Sequence, residues 1–160
     1  MTDIQPNVLE KMAKTIHDNY NKTQLERNPY TWPSYPTWES LPDTLKNSNI
    51  RQAKGVFEKL QVSGYIWSNE DLPGFEEIAD FSDDEIEPLS KLEHDRWVEE
   101  RIESGWKYGH IKDVDLMISP YIAPYDDIPD EIKEYDRDAV RNVFPLIHSL
   151  GMKVYKKSEC

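Results

Sequence analysis

The chain carries one pattern twice, and a repeat constrains a fold before any single residue does. The segment WESLPDTLKNSNIRQAKGVFEKLQVSGYIW, Trp38 to Trp67, aligns without gaps with YDDIPDEIKEYDRDAVRNVFPLIHSLGMKV, Tyr125 to Val154, at an offset of 87 residues. Pro42, Asp43, Lys46, Val56, Phe57 and Gly64 meet identical residues in Pro129, Asp130, Lys133, Val143, Phe144 and Gly151. Upstream, IHDNY (Ile16 to Tyr20) parallels EHDRW (Glu93 to Trp97) at an offset of 77, so the second copy holds about ten additional residues between its anchors. Two matches in the same order point to duplication. They predict a single domain over residues 1–160, with a degenerate first repeat at 7–67, an acidic linker at 68–88 and a second repeat at 89–156.

Within each copy the periodicity reads helix, irregular or extended middle, helix. Leu9, Met12, Ala13, Ile16 and Tyr20 recur at helical spacing on one face. The Pro- and aromatic-rich run NPYTWPSYPTW, Asn28 to Trp38, breaks that pattern. A closing helix is expected from about Asn49, with Asn49 as its N-cap and Gly64 as its left-handed stop. In the second copy a helix is expected from about Leu89 to Ser104, stopped at Gly105. Trp106–Tyr108 and Met117–Ser119 read as short strands around a turn, with both rings of the first strand sealing a core. Asp136 is expected to cap a last helix striped by Val140, Val143, Phe144, Ile147 and Leu150, bent at Pro145 and closed by Gly151.

Charge narrows the partners. With 31 acidic against 19 basic side chains the formal charge is −12, which repels phosphate polymers and anionic membranes. DNA, RNA and membranes are therefore not expected partners, whereas one small anion in a locally basic pocket is still compatible with this field. Five Trp and nine Tyr supply apolar area that a disordered chain would lack. One cysteine, Cys160, forbids an intrachain disulfide and fits a reducing cytoplasm, and Met1 to Gln5 has neither the basic nor the apolar region of a secretory signal. Ser68 to Ser90 contains nine acidic residues and no Lys or Arg, without the ligand spacing of a calcium loop.

The run HDRWVEERIESGWKYG, His94 to Gly109, closely resembles the repeat found in ryanodine receptors, and so does APYDDIPDEIKEYDRDAVRNVF, Ala123 to Phe144. The first copy keeps HDNY and LPDTLK but has no counterpart of GWKYG. The resemblance implies a cytoplasmic, mainly helical α+β protein whose two tandem repeats pack with pseudo-two-fold symmetry. In the channels such paired modules are regulatory and interaction surfaces, and one pair accommodates an adenine nucleotide between its repeats.

If homologous helices face each other across an axis, Tyr20 and Trp97 approach as equivalents, as do His17 and His94, and two rings can sandwich a flat heterocycle. His94, Trp97 and Arg101 fall at i, i+3 and i+7, one arc of a helix, which offers an imidazole, an indole and a phosphate-binding guanidinium. Asn49 and Asp136, also equivalents, would hydrogen-bond the base edge. Each residue has an ordinary structural reading too: Trp97 as core, His94 as a backbone bridge, Arg101 in a carboxylate pair, Asn49 and Asp136 as caps.

No nucleophile elbow, zincin, Walker or dinucleotide-binding motif occurs, and four scattered His give no zinc spacing. His94 and Asp95 are helix neighbours pointing about 100° apart, so they make no dyad. The expectation is a non-enzymatic ligand-binding or sensor module without catalytic residues, metal or cofactor, taking a nucleotide-like molecule in the groove between repeats. The alternative is a protein-interaction module that holds no small molecule.

Overall fold

The computed structural model describes residues 4–27 and 37–156. Tyr30, Trp32 and Tyr35 of the aromatic run, and Cys160, lie outside the described residues. The fold is α+β and mainly helical, and it divides into two compact units. One comprises the chain up to Glu77 together with the segment from Pro145 onward, and the other is Ile78–Phe144.

The first unit begins with α1 (Pro6–Arg27), which packs on α2 (Asp43–Val62). Leu9, Met12 and Ala13 of α1 and Ala53, Val56, Phe57 and Leu60 of α2 are buried, each set on one helical stripe. Removing a side chain such as Leu60 from water contributes about 1.5–3 kcal/mol. A 3-10 turn, Trp38–Ser40, leads into α2. Strand β1 (Tyr65–Ser68) follows the helix, and β2 (Glu76–Ile78) follows a short connection. The C-terminal strand β5 (Lys153–Lys156) lies between them in a three-stranded sheet ordered β1-β5-β2. β5 runs antiparallel to β1, with Trp67 opposite Val154.

The second unit is built on α3 (Asp83–Glu103) packed against α4 (Asp130–Arg141). Between them lie β3 (Lys107–Tyr108), β4 (Ile118–Ser119) and a 3-10 turn, Tyr125–Asp127. The short strands fall where expected but pair in parallel, so they are not the two arms of a hairpin. Tyr108 is exposed while Trp106 is half-buried, so the two rings do not jointly seal a core.

Three helix starts differ from expectation. α2 begins at Asp43, not at Asn49, because Pro42 (φ −59°, ψ 149°) presets the turn and Asp43 places negative charge at the helix N-terminus. α4 likewise begins at Asp130 behind Pro129, so neither Asn49 nor Asp136 is a cap; both are interior helical residues. The leading turns of these helices are polar, which hides them from a hydrophobic-periodicity reading. α3 starts at Asp83 and runs through Pro88, which lies in its second turn. The Glu85 carboxylate accepts the Ser82 backbone N–H at 2.8 Å, and three acidic residues in the first turn suit the helix dipole.

The expected last helix is two helices. α4 ends at Arg141 with Asn142 as its C-cap, and α5 runs Val143–Ser149, which leaves Pro145 in the first turn of α5, where its missing N–H costs no helical bond. Gly64, Gly105 and Gly151 all adopt positive φ at the helix ends assigned to them.

Candidate functional site

The start of α4 at Asp130 has a consequence for chemistry. It turns Asp136 inward toward α3, where the buried His94 lies. His94 Nε2 is 2.7 Å from the Ala123 carbonyl oxygen, and Nδ1 is 3.2 Å from Asp136 Oδ2. A carbonyl only accepts, so Nε2 carries a proton; a facing carboxylate favours a proton on Nδ1 as well. Both neighbours thus favour the protonated ring. Burial pulls its pKa down, but Asp136, the Ala123 carbonyl and the nearby Asp95 more than offset this, and the net shift is upward. The approach of Asp136 is oblique: among the described residues its Oδ2 has no aligned donor, so the pair is held by charge more than by a well-formed hydrogen bond.

Trp97 stacks on His94 with ring centres 5.7 Å apart and 23° between planes. One turn further on, the Arg101 guanidinium sits 5.4 Å from the Trp97 ring and 5.7 Å from the Trp106 ring. Gly105 (φ 98°) makes this second contact possible. It turns the chain out of α3, and the Trp106 N–H then donates to the Arg101 carbonyl at 2.9 Å. The indole returns beside the side chain that precedes it in sequence.

Among the described residues, Arg101 reaches no carboxylate. Its neighbour Arg96 bonds both Glu93 and Glu100, at 2.7 and 2.8 Å. Arg137 holds Glu87, Glu134 and Asp130, and Arg141 holds Glu134 and Asp138. In a chain this acidic, a guanidinium restrained by two indoles keeps its in-plane N–H groups for something else. Trp97, Arg101 and Trp106 are each half-buried, so the cluster is open to solvent on one side.

The other residues anticipated for the site lie in the first unit. His17 is buried, 6.3 Å from the Trp38 ring, with Nε2 3.2 Å from the Asn21 side-chain nitrogen. Tyr20 is 58% exposed on α1, and Asn49 is half-buried within α2. Thus His94, Trp97, Arg101 and Asp136 come together around α3, while His17, Tyr20 and Asn49 belong to the other unit. One local arrangement occurs in both. The His17 and Trp38 rings are tilted by 57°, with Lys46 Nζ 5.7 Å from the indole. The His94 and Tyr125 rings are 6.1 Å apart and tilted by 59°, with Lys133 Nζ 5.1 Å from the phenol.

Two features escaped the sequence reading. Trp106 had only the pattern of a structural strand residue, and nothing in spacing signals that its ring meets Arg101. Glu87, read as a linker acid, accepts the Tyr125 hydroxyl at 3.0 Å and Arg137 Nε at 2.5 Å. Burial and Glu87 together push the Tyr125 hydroxyl up to about 12. Glu87 and Arg137 border an open cavity of about 480 Å³ with Phe81 and Ile86 on its wall. Its arginines are already spent on carboxylates. Among the described residues no group of His, Cys, Asp or Glu is placed to hold a metal ion, and no helix is long and apolar enough to cross a membrane.

The second unit is thus a small, mainly helical α+β module with a buried histidine–aspartate pair supporting a Trp–Arg–Trp cluster. The family model described as the RyR domain matches residues 78–156, starting where this unit starts. Residues 78–156 of the chain are thus a RyR domain.

Proposed function

We propose that the protein is a non-enzymatic binding module that takes a planar, anionic, nucleotide-like molecule at Trp97, Arg101 and Trp106 of the RyR domain. The observation that carries this reading is the guanidinium of Arg101, which two indoles hold and no carboxylate among the described residues neutralises. A phosphate accepts two parallel N–H bonds from such a fork, and an indole face stacks on a base for about 1–3 kcal/mol. His94 and Asp136 act from behind: the imidazole, held by Asp136, stacks on Trp97 and braces it. No cofactor or catalytic residue is part of this reading, and its setting is the cytoplasm. The matching ring, histidine and lysine geometry of the two units supports reading them as copies of one plan.

Quenching of tryptophan fluorescence by adenine nucleotides tests the proposal. Wild type is expected to saturate, and Arg101→Ala to need at least about tenfold more ligand, the loss of one charge-assisted contact. An identical titration curve for both proteins contradicts it. A second reading, a protein-interaction module without a small-molecule ligand, draws on the exposed aliphatic side chains of the loop between β3 and β4.

A further inference from the structure

Trp106 and Tyr108 leave the turn at Gly105 on one side of the chain, because Lys107 between them is extended strand and sends its two neighbours to the same face. Neither ring is used up by packing: Trp106 is half-buried and Tyr108 is 55% exposed. Among the described residues the Tyr108 ring meets only that of His110, centres 5.7 Å apart at 70°, and its hydroxyl has no hydrogen-bond partner. The ring is exposed, yet its backbone is fixed. The Lys107 N–H donates to the Met117 carbonyl at 2.9 Å and the Gly109 N–H to the Ser119 carbonyl at 3.3 Å, so β4 pins the chain on both sides of Tyr108. Gly109 makes that approach possible, since a Cβ there would lie 2.3 Å from Ile118 Cγ2.

The two indoles beside Arg101 are not equally available. Trp97 has the His94 ring one turn before it on α3, at 5.7 Å, and the Arg101 guanidinium one turn after it, at 5.4 Å. It is flanked on both sides. Trp106 has Arg101 at 5.7 Å, and among the described residues no other ring or cation reaches it. Residues two apart in a strand stand about 6.6 Å from each other. A flat ring touched on both faces needs about 3.5 Å on each side, about 7 Å in all. The spacing of Trp106 and Tyr108 meets that requirement.

We infer that Trp106 and Tyr108 are the two walls of a slot that takes the heterocyclic base of the ligand, which makes Tyr108 a specificity-determining contact. His110 braces the Tyr108 ring from its edge, and Trp97 supports Arg101 instead of stacking on the base. The phosphate reaches Arg101 on the other side of the Trp106 indole, with the ribose bridging the indole edge. This inference rests on the reading of Arg101 as the anion site and adds to it the place and the walls of the base.

Calorimetric titration of adenosine monophosphate and of adenosine into the full chain tests it. Tyr108→Ala, at an exposed position that leaves the circular dichroism unchanged, is expected to weaken both compounds by one common factor of at least about five, the loss of one stacked ring. The preference for the phosphate, which belongs to Arg101, is retained. Tyr108→Phe binds as wild type does, because stacking uses the ring and not the hydroxyl. The slot is overturned, with the Arg101 reading left standing, if Tyr108→Ala binds like wild type, if it weakens the monophosphate alone, or if Tyr108→Phe is as weak as Tyr108→Ala. A wild type that binds neither compound overturns both.

Discussion

Asp136 Oδ2 stands 3.2 Å from His94 Nδ1 inside the RyR domain, and this pair ties α4 to α3 beneath the Trp–Arg–Trp cluster. His94 is 2% exposed, so water cannot replace a lost partner. Asp136→Asn is expected to lower stability in urea by about 1.5–3 kcal/mol, the range for a hydrogen-bonded or paired charge. Asp138→Asn, on the exposed side of the same helix, should cost no more than about 0.5 kcal/mol. Equal effects of the two changes would remove the buried pair from the account.

The same pair gives stability a pH dependence of known sign. The folded pKa of His94 is raised above 6.5, so folding takes up a proton when pH lies between the unfolded and folded values. Its contribution is complete below the unfolded value and is lost as pH climbs through the folded one. Urea midpoints should therefore fall on going from mildly acidic to mildly alkaline solution, and the slope should flatten in His94→Gln. A slope unchanged by that substitution would assign the effect to other groups.

Packing in the second unit rests on the edge-to-face contact of Phe81 with Phe144, centres 4.8 Å apart at 88°. Phe144 is 1% exposed, and Phe144→Ala should cost about 3–5 kcal/mol. Phe144→Leu, which keeps most of the volume, should cost less than half of that. Thermal or urea unfolding checks both.

Much of this was legible in the residues because the informative signals were local. Apolar stripes at helical spacing located the helices, and Gly64, Gly105 and Gly151 marked their ends by the positive φ that each adopts. What failed was reading caps from polar residues inside helices. Asn49 and Asp136 have the side chains of caps, but proline two turns earlier had already begun each helix. The His94–Asp136 pairing was hidden for that reason, since a cap would have pointed elsewhere. The meeting of Trp106 with Arg101 was hidden differently: it depends on the reversal at Gly105, which no periodicity encodes.

The central claim is that Arg101, held between two indoles, receives the anionic part of a planar ligand. Calorimetric titration of wild type and Arg101→Met with an adenine nucleotide and with the uncharged nucleoside tests it most directly. The account predicts that wild type binds the nucleotide at least about tenfold more tightly than the nucleoside, and that Arg101→Met binds both equally weakly. Wild type that binds neither compound, or an Arg101→Met protein that keeps the preference for phosphate, would contradict it.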